Sequence, residues 1–113
     1  VVAHGNGNPK SDLSEARALH HIQGKDVPLT GFKWAMGHTL CASGVMDAVL
    51  ATRVLVEKTI PGLPHFKQAA AGCEGLNIQS ESRSWDDGAQ KHVLLINRGF
   101  GSMNTSLVMK SCD

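Results

Sequence analysis

Residues 1–16 read VVAHGNGNPKSDLSEA and pass from an apolar segment, through glycines and asparagines, to a helical pattern. The first three residues predict the end of a β-strand, and GNGNP predicts a tight turn after it. His4 is the residue at which the strand gives way to the turn. In open α/β sheets, ligands bind beyond the carboxyl ends of the strands, near the N-termini of the following helices. The stretch therefore predicts an α/β fold with His4 at a position where such folds bind ligands.

A helix is predicted directly after this turn. Apolar residues recur at helical spacing up to about Gln23. Ser11 or Asp12 is expected to cap the helix, and Glu15 lies three residues past Asp12, as in a capping box. Gly24 is expected to end the helix, because glycine readily adopts the left-handed conformation of a C-terminal stop.

The rest of the chain predicts a second strand and helix, an irregular stretch and two final strands. Residues 27–33 indicate a strand that ends at Lys33, followed by a loop over 34–39. The helix over 40–58 is apolar on most sides, so we expect it to be buried in a larger fold. Residues 59–91 predict a long loop with one short strand at LNIQ. HVLLIN and TSLVMK predict two strands joined by the glycine-rich turn RGFGSMN.

Composition is typical of a soluble, globular, single domain. The 113 residues are 42% hydrophobic and 19% charged, with a formal net charge of +1. This balance provides no bulk attraction to nucleic acid or to a membrane surface, and no apolar run approaches the roughly 18 residues of a membrane span. Three cysteines without CxxC spacing argue against a disulfide framework or a zinc site. We therefore expect a cytoplasmic protein, with no nucleic acid or membrane partner.

Two of the six histidines occupy equivalent places in the sequence. His4 and His38 each lie beside a glycine, after a strand and shortly before a helix, so they could face one pocket. Neutral imidazoles there can donate hydrogen bonds to a developing oxyanion or act as general acids and bases. Lys33 could orient a carboxylate or set the protonation state of a histidine.

The plainer alternatives stay open at this point. A histidine after a strand is more commonly structural or solvated than catalytic, and no third ligand at suitable spacing supports a metal site. The remaining four histidines are expected to be ordinary surface or half-buried residues: His20, His21, His65 and His92.

Three segments together resemble the β-ketoacyl synthases, the condensing enzymes of fatty-acid and polyketide synthesis. AHGNGNPKSDLSEA (3–16) is similar to the family's AHGTGTPxxDxxEA, and KWAMGHTLCASG (33–44) to its KSxxGHTxGAAG. RGFGSMNTSLV (98–108) is similar to FGFGGTNASLV. The segments occur in the family's order, and only residues 59–91 match loosely.

The resemblance implies the thiolase-like fold, whose halves each have βαβαββ topology, a mixed sheet with helices packed on it. Residues 1–113 would be the C-terminal half, a piece of a longer protein that begins within its first strand. The nucleophilic cysteine of the family belongs to the other half. We therefore expect no condensing activity from this chain alone, and an exposed apolar face that promotes self-association.

Site residues follow from the matched motifs. The resemblance implies that His4 and His38 bind the thioester carbonyl of malonyl-carrier protein, and that Lys33 supports His38 and the charge balance of the site. Phe100, between Gly99 and Gly101, matches a gating phenylalanine beside the acyl pocket. The resemblance further implies an acyl carrier protein and acyl and malonyl thioesters as partners, no cofactor or metal, and a homo- or heterodimer in the full-length form.

Several positions depart from the family's motifs. Asn6 and Asn8 replace threonines, Trp34 replaces a small residue and Arg98 replaces a phenylalanine. These departures suggest an unusual substrate or partner. A second function, that of a non-catalytic partner subunit similar to the chain-length factors, stays open because the half that would carry the nucleophilic cysteine is not in this sequence. A stand-alone binding module is a third alternative, which the buried-looking helix over 40–58 disfavours.

Overall fold

The computed structural model describes residues 1–23, 25–85 and 91–112. Gly24, expected to end the first helix, and residues 86–90 of the expected long loop lie outside the described residues. The elements are α1 (Pro9–Gln23), β1 (Pro28–Leu29), α2 (Lys33–Met36), a 3₁₀ turn (Leu40–Ala42), α3 (Ser43–Glu57), β2 (Thr59–Ile60), β3 (Asn77–Ile78), β4 (Arg83–Ser84), β5 (His92–Arg98) and β6 (Asn104–Lys110). The predicted mixture of helices and sheet is therefore confirmed.

Helix α1 begins earlier than the sequence predicted. The Asn8 side-chain oxygen accepts hydrogen bonds from the backbone N–H groups of Lys10 (3.1 Å) and Ser11 (3.2 Å). Pro9 occupies the first helical position, where its missing N–H costs nothing. The predicted cap at Ser11 or Asp12 is therefore wrong: asparagine at residue 8 satisfies the free amides first, and both residues lie inside the helix.

The N-terminal residues join the strands into one layer. Val2 forms isolated parallel bridges with Thr30, which follows β1, and with Leu95 in β5. Its N–H donates to the Leu94 oxygen at 2.8 Å, and its own oxygen accepts from Ile96 at 3.0 Å. Beyond β1, β3 pairs in parallel, and beyond β5, β6 pairs antiparallel. Residues 1–3 thus lie in the middle of the sheet, which puts His4 directly past its central segment.

The last two strands form a regular hairpin, as predicted. All seven residues of β5 pair with those of β6, from His92 opposite Lys110 to Arg98 opposite Asn104. At the tip, Gly101 has φ of 71°, a conformation that favours glycine. Gly99 donates its N–H to the Met103 oxygen at 2.8 Å. The hairpin fixes the position of Arg98 relative to His4.

Lys33 does not end a strand, and residues 34–36 are not a loop. Only Pro28 and Leu29 form strand β1, and residues 33–36 form one helical turn, closed by the Gly37 N–H to the Lys33 oxygen at 2.8 Å. The partners of the expected strand, Val2 and Ile78, lie opposite Thr30 and Leu29, so no ladder continues beyond Thr30. The helical turn directs Lys33 into the interior instead.

Residues 59–85 contain more strand than the expected long loop. The predicted short strand at LNIQ is present as β3, and β2 and β4 form a further antiparallel pair. Gly62 lies so close to Ser80 and Glu81 that a Cβ there would be 2.3 Å from the Ser80 oxygen. These short pairs were missed because two-residue strands have no detectable periodicity.

Helix α3 packs its inner face on the sheet and leaves its outer face open. The main core cluster is shared between α3 and the strands: Val2, Phe32, Ala51, Val54, Leu55, Val93 and Leu95. On the other face, Val45, Val49 and Val56 are more than half exposed. The expected burial of the helix is therefore met on one side only, and the predicted exposed apolar face is present.

Candidate active site

The rings of His4 and His38 lie together at the end of the sheet. Their centroids are 5.4 Å apart and their planes meet at 75°. His4 is buried, with 2% of its surface exposed, whereas His38 is exposed in the turn between α2 and the 3₁₀ turn. Two histidines 34 positions apart in the sequence therefore lie side by side.

Each imidazole accepts a backbone hydrogen bond at the same ring atom. The Arg98 N–H donates to His4 Nδ1 at 3.3 Å, and the Leu40 N–H donates to His38 Nδ1 at 3.0 Å. A neutral imidazole whose Nδ1 accepts a hydrogen bond carries its proton on Nε2. Both rings then carry their proton on Nε2, and an Nε2–H group is a donor suited to a carbonyl oxygen or an oxyanion.

Glu15 holds the backbone of His4. Its two carboxylate oxygens accept hydrogen bonds from the N–H groups of His4 (2.7 Å) and Gly5 (3.0 Å). The carboxylate is buried, and hydrogen bonds to a charged acceptor are among the stronger ones in proteins. Glu15 was expected as a member of a capping box, and its part in fixing the histidine turn was missed.

The surroundings of His4 favour its neutral form. Burial, followed by the positive charge of Lys33, lowers the pKa of His4, although the Glu15 carboxylate acts in the opposite direction. The imidazole is therefore uncharged at neutral pH. An uncharged ring keeps Nδ1 as the acceptor that the Arg98 N–H contact requires and Nε2 as the donor.

Lys33 forms a buried ion pair with Asp47 of α3. Its Nζ lies 2.5 Å from Asp47 Oδ2, and both side chains are almost wholly inaccessible to water. The resemblance implied that Lys33 supports His38, whereas its observed bond is to Asp47. Asp47 was not predicted. The signal for it was an acidic residue within the apolar run SGVMDAVLA, because a buried carboxylate requires a cation.

Asp12 lies near the same turn. Burial, followed by the negative charge of Glu15, raises the pKa of Asp12, and the backbone N–H groups of Asn6 and Gly7 oppose that rise. The side chain is half-buried within α1 and is not its cap. Asp12 therefore lies beside the turn that follows His4.

Phe100, the residue predicted to gate the acyl pocket, lies at the tip of the hairpin. Phe100 is 98% exposed, and Gly99 and Gly101 flank it in the same turn. Arg98, two residues earlier, is the part of this segment that contacts His4. The structure therefore brings His4, His38 and Lys33 to one region, while the Phe100 ring points into solvent and its gating role stays a prediction.

The residues that depart from the family motifs have local partners. The Asn6 side chain accepts from the Asn8 N–H at 3.0 Å, and Asn8 caps α1. The ring of Trp34 meets His65 edge to face, with centroids 5.8 Å apart. The Arg98 side chain bonds across to α1 and to Asn104, whose amide also donates to the Ser102 oxygen and ties the hairpin turn together.

Neither a metal site nor a membrane-spanning helix is found in the part of the chain that the structure describes. Among residues 1–23, 25–85 and 91–112, no three His, Cys, Asp or Glu side chains converge as metal ligands would. No helix in these ranges has the length and hydropathy needed to cross a bilayer. Cys41, Cys73 and Cys112 are free thiols.

Known proteins resemble this chain over nearly its whole length. The family model for the C-terminal domain of β-ketoacyl synthases matches residues 1–67, more than half of the chain. The chain is 30% identical over 109 residues to 3-oxoacyl-[acyl-carrier-protein] synthase 1 of Escherichia coli, and 27% identical over 111 residues to that of Haemophilus influenzae. It is 29% identical over 122 residues to a non-reducing polyketide synthase of Penicillium rubens.

The matches cover nearly all of this chain but only part of each relative. They cover 96% of this chain for the E. coli synthase and 97% for each of the other two proteins. The chain spans only 26% and 27% of the two bacterial synthases, and 4% of the fungal polyketide synthase. The matched residues include the histidine pair and the lysine described above. The chain belongs to the β-ketoacyl synthase family, in the region of that family's C-terminal domain.

Proposed function

We propose that this chain is the C-terminal part, residues 1–113, of a 3-oxoacyl-[acyl-carrier-protein] synthase with the thiolase-like βαβαββ half-fold. The whole protein would condense malonyl-carrier protein with an acyl thioester in fatty-acid or polyketide synthesis. The supporting observation is the pair of Nε2–H donors on His4 and His38, whose rings lie 5.4 Å apart. The names of the relatives, a fatty-acid type synthase and a polyketide synthase, agree with this reaction class.

In the proposed reaction, the two imidazoles bind the thioester carbonyl of malonyl-carrier protein. Cleavage of the bond to the terminal carboxylate releases carbon dioxide, and the electron pair of that bond moves into an enolate. Two N–H donors stabilise the enolate oxygen more than the original carbonyl oxygen, so they accelerate this step. The enolate carbon then attacks an acyl group carried on a cysteine, and the cysteine thiolate leaves.

Lys33 has an electrostatic role in this proposal. Its ammonium group is held by Asp47 at 2.5 Å and does not need to touch the substrate. Its positive charge lowers the pKa of His4, which keeps the ring in the neutral form that can both donate and accept. The proposed role of Phe100 is to gate the acyl pocket from the hairpin tip once the rest of the synthase surrounds it.

The proposal requires a nucleophilic cysteine outside residues 1–113, in agreement with the resemblance. Cys41 is exposed in the 3₁₀ turn, and we expect it to carry no acyl group. This chain alone is accordingly proposed to give no condensation product, and the full-length protein to act as a dimer with an acyl carrier protein. A radiolabelled condensation assay on residues 1–113 that yields product would contradict this part.

The deciding experiment is to sequence the gene upstream of the codon for Val1. A cysteine in a strand-to-helix elbow there supports the synthase. Another residue at that elbow, such as glutamine, leaves the histidine pair without a nucleophile and supports the alternative, a partner subunit similar to a chain-length factor. The retained His4, Lys33 and His38 favour the synthase, because a subunit without catalysis has no need of all three.

A further inference from the structure

The Arg98 side chain connects the hairpin to α1. Its Nη1 donates to the backbone oxygen of Ser11 at 2.7 Å and lies 3.4 Å from the Ser11 hydroxyl. Its Nη2 donates to the Ser14 hydroxyl at 3.2 Å, and its Nε to Asn104 Oδ1 at 3.1 Å. Only the planar guanidinium group has donors arranged to satisfy acceptors in such different directions at once.

The backbone of the same residue contacts the active-site histidine. The Arg98 N–H donates to His4 Nδ1, and the 3.3 Å separation makes this a long hydrogen bond. A long hydrogen bond at the end of a strand keeps its geometry only if other contacts hold the donor N–H in position. The side chain of Arg98 supplies such a restraint at the strand end that carries this N–H.

These contacts close a ring of hydrogen bonds around His4. Glu15 in α1 binds the backbone amides of His4 and Gly5. Ser11 and Ser14, which Arg98 binds, lie four residues and one residue before Glu15 in the same helix. The element that holds the His4 backbone is therefore bonded, through the Arg98 side chain, to the strand that holds the His4 ring.

We propose that Arg98 is a positioning residue for His4. By bonding α1 to the end of β5, its side chain keeps the Arg98 N–H directed at His4 Nδ1 and so holds the ring proton on Nε2, where it can be donated. That this donor serves a thioester carbonyl rests on the proposed function. The positioning of the ring does not depend on it.

The test is a nuclear magnetic resonance measurement on the 113-residue chain labelled with ¹⁵N. Two-bond ¹H–¹⁵N correlations separate a protonated ring nitrogen from an unprotonated one, and so give the tautomer of each histidine. In the unaltered chain, His4 should show the proton almost wholly on Nε2. In Arg98→Gln and in Arg98→Lys, the fraction of His4 with its proton on Nδ1 should rise severalfold.

The two variants separate geometry from charge. Lysine keeps the positive charge but has no planar fork, so a tautomer change in Arg98→Lys as well as in Arg98→Gln assigns the effect to hydrogen-bond geometry. His38 is an internal control, because the Leu40 N–H that binds its Nδ1 is independent of Arg98. Arg53→Gln is the matched control, since Arg53 is an exposed arginine that pairs with Glu57 in α3.

The proposal is overturned if the folded Arg98 variants keep the His4 tautomer of the unaltered chain. If neither variant folds, Ser14→Ala and Asn104→Ala decide, because each removes one side-chain contact of Arg98. A smaller change in the same direction then supports the proposal, and an unchanged tautomer overturns it. The tautomer measurement needs no substrate. A failed condensation assay would therefore not change the tautomer result, and an unchanged tautomer would not argue against condensation.

Discussion

His4 owes its chemical state to groups that are distant from it in the sequence. The motif AHGNGNP was enough to place a histidine at the end of a strand, and KWAMGHT to place its partner. The Arg98 amide that fixes the ring lies 94 positions away, and no local pattern could indicate it. Glu15 was visible as an acidic residue in the matched motif, but its two bonds to the turn depend on how α1 packs.

The stability of the fold should depend on pH through His4. Because burial and the Lys33 charge lower the pKa of His4, the folded protein binds that proton less readily than the unfolded chain does. Neutral His4 therefore contributes stability that is present above its ordinary pKa, about 6.5, and lost as the pH falls through the lowered folded-state value. We expect the free energy of unfolding in urea to decrease on acidification, and His4→Gln to reduce that decrease.

Two further groups bear on this experiment. The raised pKa of Asp12 has the opposite sign: its protonation on acidification adds stability, which is lost again as the pH rises through the folded-state value. His21→Gln is the control, because it makes the same substitution at an exposed position of α1. An identical pH profile for His4→Gln and the unaltered chain would refute a neutral His4.

A second prediction concerns the cap of α1. Asn8→Ala removes the acceptor for the N–H groups of Lys10 and Ser11, so the free energy of unfolding should fall by about 1 kcal/mol. Asn8→Thr, which restores the family's residue, should cost less because threonine also caps helices. Lys10→Ala should have little effect, since only the backbone of Lys10 takes part. Equal stability of Asn8→Ala and the unaltered chain by urea denaturation would contradict the cap.

At the scale of elements, long segments were predictable and short ones were not. The sequence predicted α1, α3 and the final hairpin to within a few residues, because each has a sustained period or a clear turn. Strand β1 was overestimated because its ladder partner β3 lies about 50 residues later and offers only Asn77 and Ile78. The helical turn at Lys33 was not predicted for a similar reason. The ion pair of Lys33 with Asp47 is a tertiary contact, which local sequence does not indicate.

The buried ion pair between Lys33 and Asp47, which joins α2 to α3, should contribute strongly to stability. Asp47→Asn leaves the Lys33 charge buried without its counter-ion, so the free energy of unfolding should fall by about 3–5 kcal/mol. Glu57→Gln breaks the exposed Arg53–Glu57 pair one turn apart on the same helix and should cost only about 0.5 kcal/mol. Urea denaturation of the two variants gives the comparison directly, and equal costs would show that the Lys33–Asp47 pair is not buried in solution.

The whole molecule presents an apolar surface that its own residues do not cover. Val45, Val49 and Val56 are exposed along α3, and Leu107 and Val108 are exposed on β6. Within the described residues, a groove between α3 and the hairpin is lined by Val45, Val49 and Leu107 together with Asn97. Exposed apolar patches mark interaction sites or surfaces prone to association.

We therefore expect residues 1–113 to self-associate as their concentration rises. Static light scattering should give an apparent mass above the 12.0 kDa of the monomer, and Val49→Glu should lower it by placing a charge in the groove. Thr52→Glu is not a suitable control, because Thr52 lines the same groove. Ser14→Ala, on the opposite helix α1, should leave the association unchanged. A clean monomer at high concentration would contradict the expectation.

We propose that His4 and His38 together stabilise the enolate of a malonyl thioester. The most direct test is release of labelled carbon dioxide by the complete protein from malonyl-carrier protein that is labelled at the terminal carboxylate. His4→Ala and His38→Ala should each reduce the rate about 100-fold or more, the usual effect of removing one oxyanion donor, whereas His21→Ala should not. Release at the unaltered rate by His4→Ala and His38→Ala would contradict the claim.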